Sequence, residues 1–405
     1  MKSILLGINS LKLLGGSETY TFTLAEELVR LGYEVDVHTL ENGDVTPKMS
    51  EVARLLGLHD IQKKKYDLAL ISQNMHLLIP IRAKRIIQIC HGIYPKLERP
   101  SLMAHGHISV SEEVRDLLRF KGFNSVVINN FVNQERFHRT SPIHQECRRV
   151  LSLCHGIEAN ELIHSACHDL GLEFVNFSKF NGAIWNIEDE MNKADLVISI
   201  GRGVIESMSC GRAVIVYDHR PYSTDYGDGM LTPEIIDVSL GCNFSGRSLK
   251  RKFIREGLME EINKYHPSMG DYNLVYAHEH FDVRKIVPRL LNYAENLQVS
   301  TSFVRKKKEW LSSYNKSILR EEKSGISYFA YRGTLFEFTG NDTPSSLMKR
   351  LRLKKLKIHE LGEEELAMLP VIPLYMLDRY YLQKWFQKKS YTQKGVEYFL
   401  RLLNS

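Results

Sequence analysis

The 405-residue chain has no uninterrupted apolar run of 18 residues or more, so no segment reads as a membrane-spanning helix. Cysteine is sparse, and the six (Cys90, Cys147, Cys154, Cys167, Cys210, Cys242) are scattered without a C-x-x-C pair. That spacing argues against a zinc site or a disulfide framework and reads as reduced thiols of a cytoplasmic protein. No G-x-G-x-x-G follows the first apolar run, which argues against nicotinamide binding. No D-x-D stands on an expected loop, so no metal is called for. Internal repeats and low-complexity tracts are missing as well. The start, Met1-Lys2-Ser3-Ile4-Leu5-Leu6-Gly7, lacks a small-residue cleavage site and reads as a core strand rather than a secretion signal.

What is present describes a folded α/β chain of two or three domains. Apolar residues make up 43% and charged ones 25%, close to the globular average, which argues against long disorder. Residues 3–8 read as a buried strand. Gly15-Gly16-Ser17-Glu18 follows, and then Tyr20, Phe22, Leu24, Ala25, Leu28 and Leu31 recur at helical spacing up to Gly32, a C-terminal stop. Val35–Thr39 is a second strand, which completes a βαβ unit and predicts a parallel sheet. Further strands are expected at 68–72, 85–90, 107–110 and 125–128. After a junction near Ser141-Pro142, a second set is expected at 150–153, 173–177, 196–200 and 213–217. Ser111 is placed to cap a helix. Residues 272–298 read as a helix that ends the second domain. The expected domains are 1–145, 146–298 and an extension over 299–405.

The charge is unevenly spread. Residues 300–357 hold 14 Lys/Arg against 5 Asp/Glu, residues 358–405 hold 6 of each, and the whole chain is only +6. The body is therefore mildly acidic and the extension basic, which suggests an anionic partner. Leu347, Leu351, Leu353 and Leu356 alternate with Lys and Arg, as in a helix with one apolar and one basic side. Such a face is also compatible with simple solvation. The extension is expected to be mostly helical, with an aromatic-rich end.

Four segments carry chemistry. Gly15-Gly16 opens a helix, whose unpaired N–H groups and positive pole suit phosphate; a tight turn before an ordinary helix explains the pair equally well. Gly201-Arg202-Gly203-Val204-Ile205-Glu206 joins a strand to a helix with an acid expected in its first turn. The loop amides of Gly201, Gly203 and Val204 suit phosphates, and Arg202 adds charge against a pyrophosphate. The Glu206 carboxylate can accept two hydroxyl protons of a ribose; standing alone, it reads as a partner of the helix dipole. His91 follows a strand end, where open α/β sheets bind ligands, although a lone histidine is more often a structural residue. Ile128-Asn129-Asn130-Phe131-Val132-Asn133 reads as a turn.

Together and in this order, these segments resemble the retaining GT-B glycosyltransferases of family 4, two Rossmann-like domains facing a cleft. The likeness spans residues 1–298. It includes Gly15-Gly16-Ser17-Glu18, Leu31-Gly32-Tyr33-Glu34-Val35, Ile108–Glu112, Ile128–Phe137 and Val204–Val216. It implies transfer of a sugar from a nucleotide-sugar donor, UDP-sugar first, to an acceptor hydroxyl with retained anomeric configuration. The donor is a substrate, so no cofactor is expected. It puts Gly16 at the donor phosphates, His91 at the transferred sugar and Glu206 at the ribose. The acceptor classes that fit the basic segment are an anionic polymer, nucleic acid or a lipid-linked glycan at a membrane surface. The sequence departs from the family in two places. Ile198 stands where an earlier glutamate is usual, and Leu153-Cys154-His155-Gly156-Ile157-Glu158 has no Arg or Lys. A departing diphosphate needs a cation, for which Arg202 is the first candidate and Lys179 and Arg212 are the others. Those departures leave room for a silent GT-B binding protein. A sugar-nucleotide epimerase is the third option, and no carboxylate pair for it is evident.

Overall fold

The computed structural model describes residues 1–299 except 79–80, 102, 181 and 221–224, together with five short strands beyond residue 300. The first unit contains β1 (Ser3–Ser10), α1 (Gly16–Arg30), β2 (Glu34–Glu41), α2 (Thr46–Val52), β3 (Arg54–Leu55) and α3 (Leu58–Lys63). It continues with β4 (Lys65–Ile71), β5 (Arg82–Cys90), β6 (Gly106–Ser109), α4 (Glu112–Phe120) and β7 (Val126–Val127). Its sheet runs β3-β2-β1-β4-β5-β6-β7, and every pairing is parallel. Ile4, Leu6 and Ile8 of β1, buried on a sheet covered by helices, explain its continuous apolar run. The expected strands appear, with the two-residue β3 added. α1 ends at Arg30, capped by Leu31 and followed by Gly32, whose φ of +85° suits glycine. Ser111 caps α4 by accepting the Val114 N–H at 3.4 Å.

The second unit contains β8 (Arg149–Ser152), α5 (Ile157–Asp169), β9 (Glu173–Asn176), α6 (Ile187–Lys193), β10 (Leu196–Ser199) and α7 (Arg202–Ser209). It continues with β11 (Ala213–Tyr217), β12 (Tyr226–Met230), α8 (Ile236–Gly241), β13 (Arg251–Lys252), α9 (Arg255–Ile262) and α10 (Pro267–His280). The sheet order is β13-β12-β11-β10-β8-β9. Its four central and outer strands are parallel, whereas β12 and β13 join antiparallel at one edge. α11 (Val283–Asn296) follows.

The chain changes units earlier than residue 145. Phe131 belongs to the first core and Val132 to the second. It also returns: Phe281 is in the second core, while Val283, Ile286, Val287, Leu290, Leu291 and Ala294 of α11 are in the first. The span 272–298 is thus two helices with different partners, not one helix closing the second domain. The two crossings run side by side. The Val132 N–H donates to Phe281 O at 2.8 Å, and the Val283 N–H to Val132 O at 3.1 Å.

Beyond residue 300, β14 (Ser317–Arg320), β15 (Ser327–Tyr331), β16 (Thr334–Phe338), β17 (Lys357–Glu360) and β18 (Val371–Pro373) form a sheet in the order β17-β14-β15-β16-β18. This corrects the helical expectation over those residues. Ser327–Tyr331 and Thr334–Phe338 are aromatic runs separated only by Arg332-Gly333, a hairpin pattern. The basic runs 305–308 and 349–356 and the aromatic-rich end lie outside the described residues. Among the described residues no helix is long and apolar enough to cross a membrane.

Candidate functional site

In open α/β sheets ligands bind beyond the carboxyl ends of the strands, where the strand order reverses. In the first sheet that point lies between β1 and β4, and β1 feeds directly into α1. In the second it lies between β8 and β10, and β10 feeds into α7. Neither Gly15 nor Gly201 caps its helix with a side chain; Glu18 stands in the first turn of α1, and the first turn of α7 holds no acid, so the positive pole of α7 is left for another partner. The two ends meet. A Cβ on Gly16 would lie 3.9 Å from Arg202 Cδ. One on Gly15 would stand 2.7 Å from Glu18 Oε2 and 3.5 Å from Lys179 Nζ. A side chain at 15 would displace the Glu18 carboxylate.

His91 is half-buried just past β5 and presents its ring edge-on to Tyr20, with centroids 4.7 Å apart. Its Nε2 is shielded from water and has no hydrogen-bond partner. Burial, reinforced by the Arg202 charge, lowers the imidazole to about 4, so the ring is neutral at pH 7. Tyr20 also packs on Phe131 at 4.5 Å, and its buried hydroxyl is unpartnered. Glu18 is 6% exposed and its Oε2 has no partner. Burial raises its proton affinity, and Lys179 partly offsets this.

Glu98 was not evident in the sequence. It ends a short 3-10 turn, Lys96–Glu98, and accepts the backbone N–H groups of Gly92 and His91. Its Oε2 is buried without a partner. Burial first, and the Glu18 carboxylate second, push it up to about 7. A single glutamate in a polar loop carries no spacing signal; only the turn after β5 brings it to His91.

α7 begins at Arg202, so Glu206 lies in its second turn and not in the first, as expected from the sequence. Gly201 supplies the φ of +63° that the strand-to-helix turn needs, but its N–H already donates to Phe244 O at 2.9 Å. Gly203 permits close packing: a Cβ there would stand 2.3 Å from Ser199 Oγ. Val204 is fully buried, and its N–H donates to Gly201 O. Arg202 and Glu206 form a buried ion pair. Nη2 and Nε both donate to Glu206 Oε1, at 2.8 and 3.2 Å. Nη1 donates to Phe131 O at 2.7 Å, across the boundary between the two cores.

The other cations divide clearly. Arg212 is 1% exposed and donates to the carbonyls of Cys210, Ala194, Asn192 and Ser141. It holds backbone together. Lys179, just past β9, has no ion pair within 4 Å among the described residues and borders Gly15. In the loop after β8, the N–H groups of His155 and Gly156 donate to Asp218 at 3.2 and 3.1 Å, and Asp218 pairs with Arg220. Burial and then the Arg220 charge lower His155 to about 4.

Two further bridges span the cleft. Asn130 Nδ2 donates to Asn243 Oδ1 at 2.7 Å. Arg247 holds Glu113 bidentately at 2.7 and 2.5 Å. Among the described residues no group of three His, Cys, Asp or Glu side chains is arranged to hold a metal ion.

No family model and no curated protein matches the chain. Solved structures do. A glycosyltransferase from Rickettsia africae ESF-5 superimposes with a TM-score of 0.50 at 13% identity, over 73% of this chain and 98% of its own. TarM gives a TM-score of 0.49 at 10% identity, over 73% and 99%. A putative UDP-N-acetylglucosamine 2-epimerase from Listeria monocytogenes gives 0.47 at 13% identity, over 72% and 96%. With its two Rossmann-like units facing a cleft, residues 1–299 of the chain adopt the GT-B fold.

Proposed function

We propose that the protein transfers a sugar from a nucleotide-sugar donor, a UDP-sugar first, to an acceptor hydroxyl with retention at the anomeric carbon. The observation that carries this reading is the meeting of two uncapped helix N-termini, at Gly16 and Arg202, beside the shielded and neutral His91. Those poles suit the diphosphate. The neutral imidazole suits a sugar hydroxyl, and Glu206 suits the ribose. A ribose on Glu206 competes with Arg202 for Oε1, and the guanidinium so released lies next to Gly16. Lys179 adds the second charge. In the reaction the acceptor oxygen bonds to the anomeric carbon while the bond from that carbon to the diphosphate oxygen breaks. The nucleoside diphosphate leaves with the electron pair and takes the acceptor proton on the same face. This chemistry depends on orientation and charge stabilisation rather than on a protein nucleophile.

The test is a panel of UDP-, GDP-, ADP- and CMP-sugars, followed by thermal stabilisation and by product analysis. One nucleotide series should raise the melting temperature, with transfer or slow hydrolysis of that donor. If no member of the panel binds, the reading fails. Product with inverted configuration removes the retaining step alone. The capture of Arg202 by Glu206 and the lack of Lys or Arg over residues 153–158 support a second reading, a protein that binds sugar nucleotides without turnover. Binding with no product would favour it, and an epimerised donor would favour the epimerase.

For the acceptor we propose an anionic polymer, nucleic acid or lipid-linked glycan held by residues 300–357. Neutralising Lys306, Lys307 and Lys308 should then slow transfer while leaving donor hydrolysis unchanged.

A further inference from the structure

Four polar atoms of the first unit, close to the start of α1 and the end of β5, are shielded from solvent and have no protein partner: Glu18 Oε2, Tyr20 Oη, His91 Nε2 and Glu98 Oε2. Groups of this kind are hydrogen-bonded in folded proteins, by protein, water or ligand. Glu18 and Tyr20 are 6% and 1% exposed. They come from the start of α1, while His91 and Glu98 come from the segment after β5. The four are one cluster. The Tyr20 ring touches His91, the His91 backbone binds Glu98, and Glu98 senses the charge of Glu18. None of the four carries a cation partner at ion-pair distance among the described residues.

We infer that these four groups read the hydroxyls of the transferred sugar, and that Glu98 is a specificity-determining residue of that subsite. The inference rests on the nucleotide-sugar reading and goes beyond it. Carboxylate oxygens accept from hydroxyls, and a neutral imidazole and a phenol can each donate or accept. A polyol matches such a set, which can both donate and accept. Arg202 and Lys179 border Gly16 and Gly15, where the diphosphate goes.

The experiment is calorimetric binding of UDP and of UDP-glucose and UDP-N-acetylglucosamine to wild-type, Glu98→Gln and Glu18→Gln proteins. GDP and GDP-mannose replace them if the panel selects guanine. Glu98→Gln should weaken the sugar nucleotide about tenfold and leave the free diphosphate within about twofold, since only one charged hydrogen bond is altered. It should also change the ranking of the two sugars. An equal loss for diphosphate and sugar nucleotide would make the effect structural and overturn the inference, as would no loss for either. If Glu98→Gln unfolds, Glu98→Asp keeps the charge but withdraws the carboxyl by one methylene, and the same selective loss is expected. Wild-type protein that binds neither free diphosphate nor sugar nucleotide would instead remove the nucleotide reading itself.

Discussion

Glu98 gives the most direct residue-scale prediction. Its carboxyl is raised from 4.5 to about 7 in the folded protein. Between those values the folded state keeps a proton that the unfolded chain has lost. Stability must therefore fall as pH rises through that window, by up to about 1 kcal/mol per pH unit from this group. Glu98→Gln has no such proton. Its thermal unfolding should be flatter from pH 5 to 7 and should exceed wild type at pH 8; parallel curves would contradict the burial argument. Arg202 gives the second. Arg202→Ala leaves the Glu206 carboxylate buried without its cation, and breaking a buried pair costs about 3 kcal/mol. Urea unfolding measures this. A loss below about 1 kcal/mol, the scale of an exposed ion pair, would mean that the pair is effectively solvated. Neither result is readable from spacing. Arg202 and Glu206 at i and i+4 do predict contact on a helix, but only the first-turn position of Arg202, corrected by the structure, makes that contact possible.

At the scale of elements, tight turns fix where the strands deliver their loops. A Cβ on Gly156 would lie 1.8 Å from the backbone oxygen of His219, so the turn from β8 into α5 and the segment after β11 cannot both keep their paths around alanine. Gly156→Ala should cost about 1–3 kcal/mol, read as a lower melting temperature. Gly241→Ala is the control: a Cβ there meets nothing within 4 Å, so stability should hold or rise. The parallel strands were legible because burial on both faces gives continuous apolar runs such as Leu196–Ile200. The antiparallel β12 was not. Tyr226-Gly227-Asp228-Gly229-Met230 has poor strand propensity. Its place comes from packing: the Met230 N–H donates to Glu261 of α9 at 2.8 Å, and Ser239 of α8 bonds Asp228 at 2.5 Å. Tertiary contacts override propensity there.

At the scale of the molecule, the paired crossings at Val132 and Asp282 are the covalent link between the units, and the Arg247–Glu113 pair is a clasp across the cleft. A bidentate arginine–carboxylate pair holds both distance and orientation. Arg247→Ala should loosen the cleft, and small-angle scattering should give a larger radius of gyration that bound donor reverses. An unchanged radius would assign the closure to the crossings and to Arg202 at Phe131 O. Such closure excludes water from a donor that would otherwise hydrolyse.

The sequence by itself determined the two parallel sheets and the glycine starts of α1 and α7, because apolar runs, helical spacing and glycine turns are local properties; the GT-B expectation came from the resemblance of its segments to a known family. It also named Gly16, His91 and Arg202, which the fold brings to one cleft. Only the tertiary structure decided where the cores divide, since Phe131, Val132 and α11 look alike in sequence whichever core receives them. It alone decided which cation stands without a carboxylate and which polar atoms are buried without partners. Glu98 and Lys179 come within electrostatic reach of Glu18 from elements distant in the chain, and no local pattern encodes such an approach.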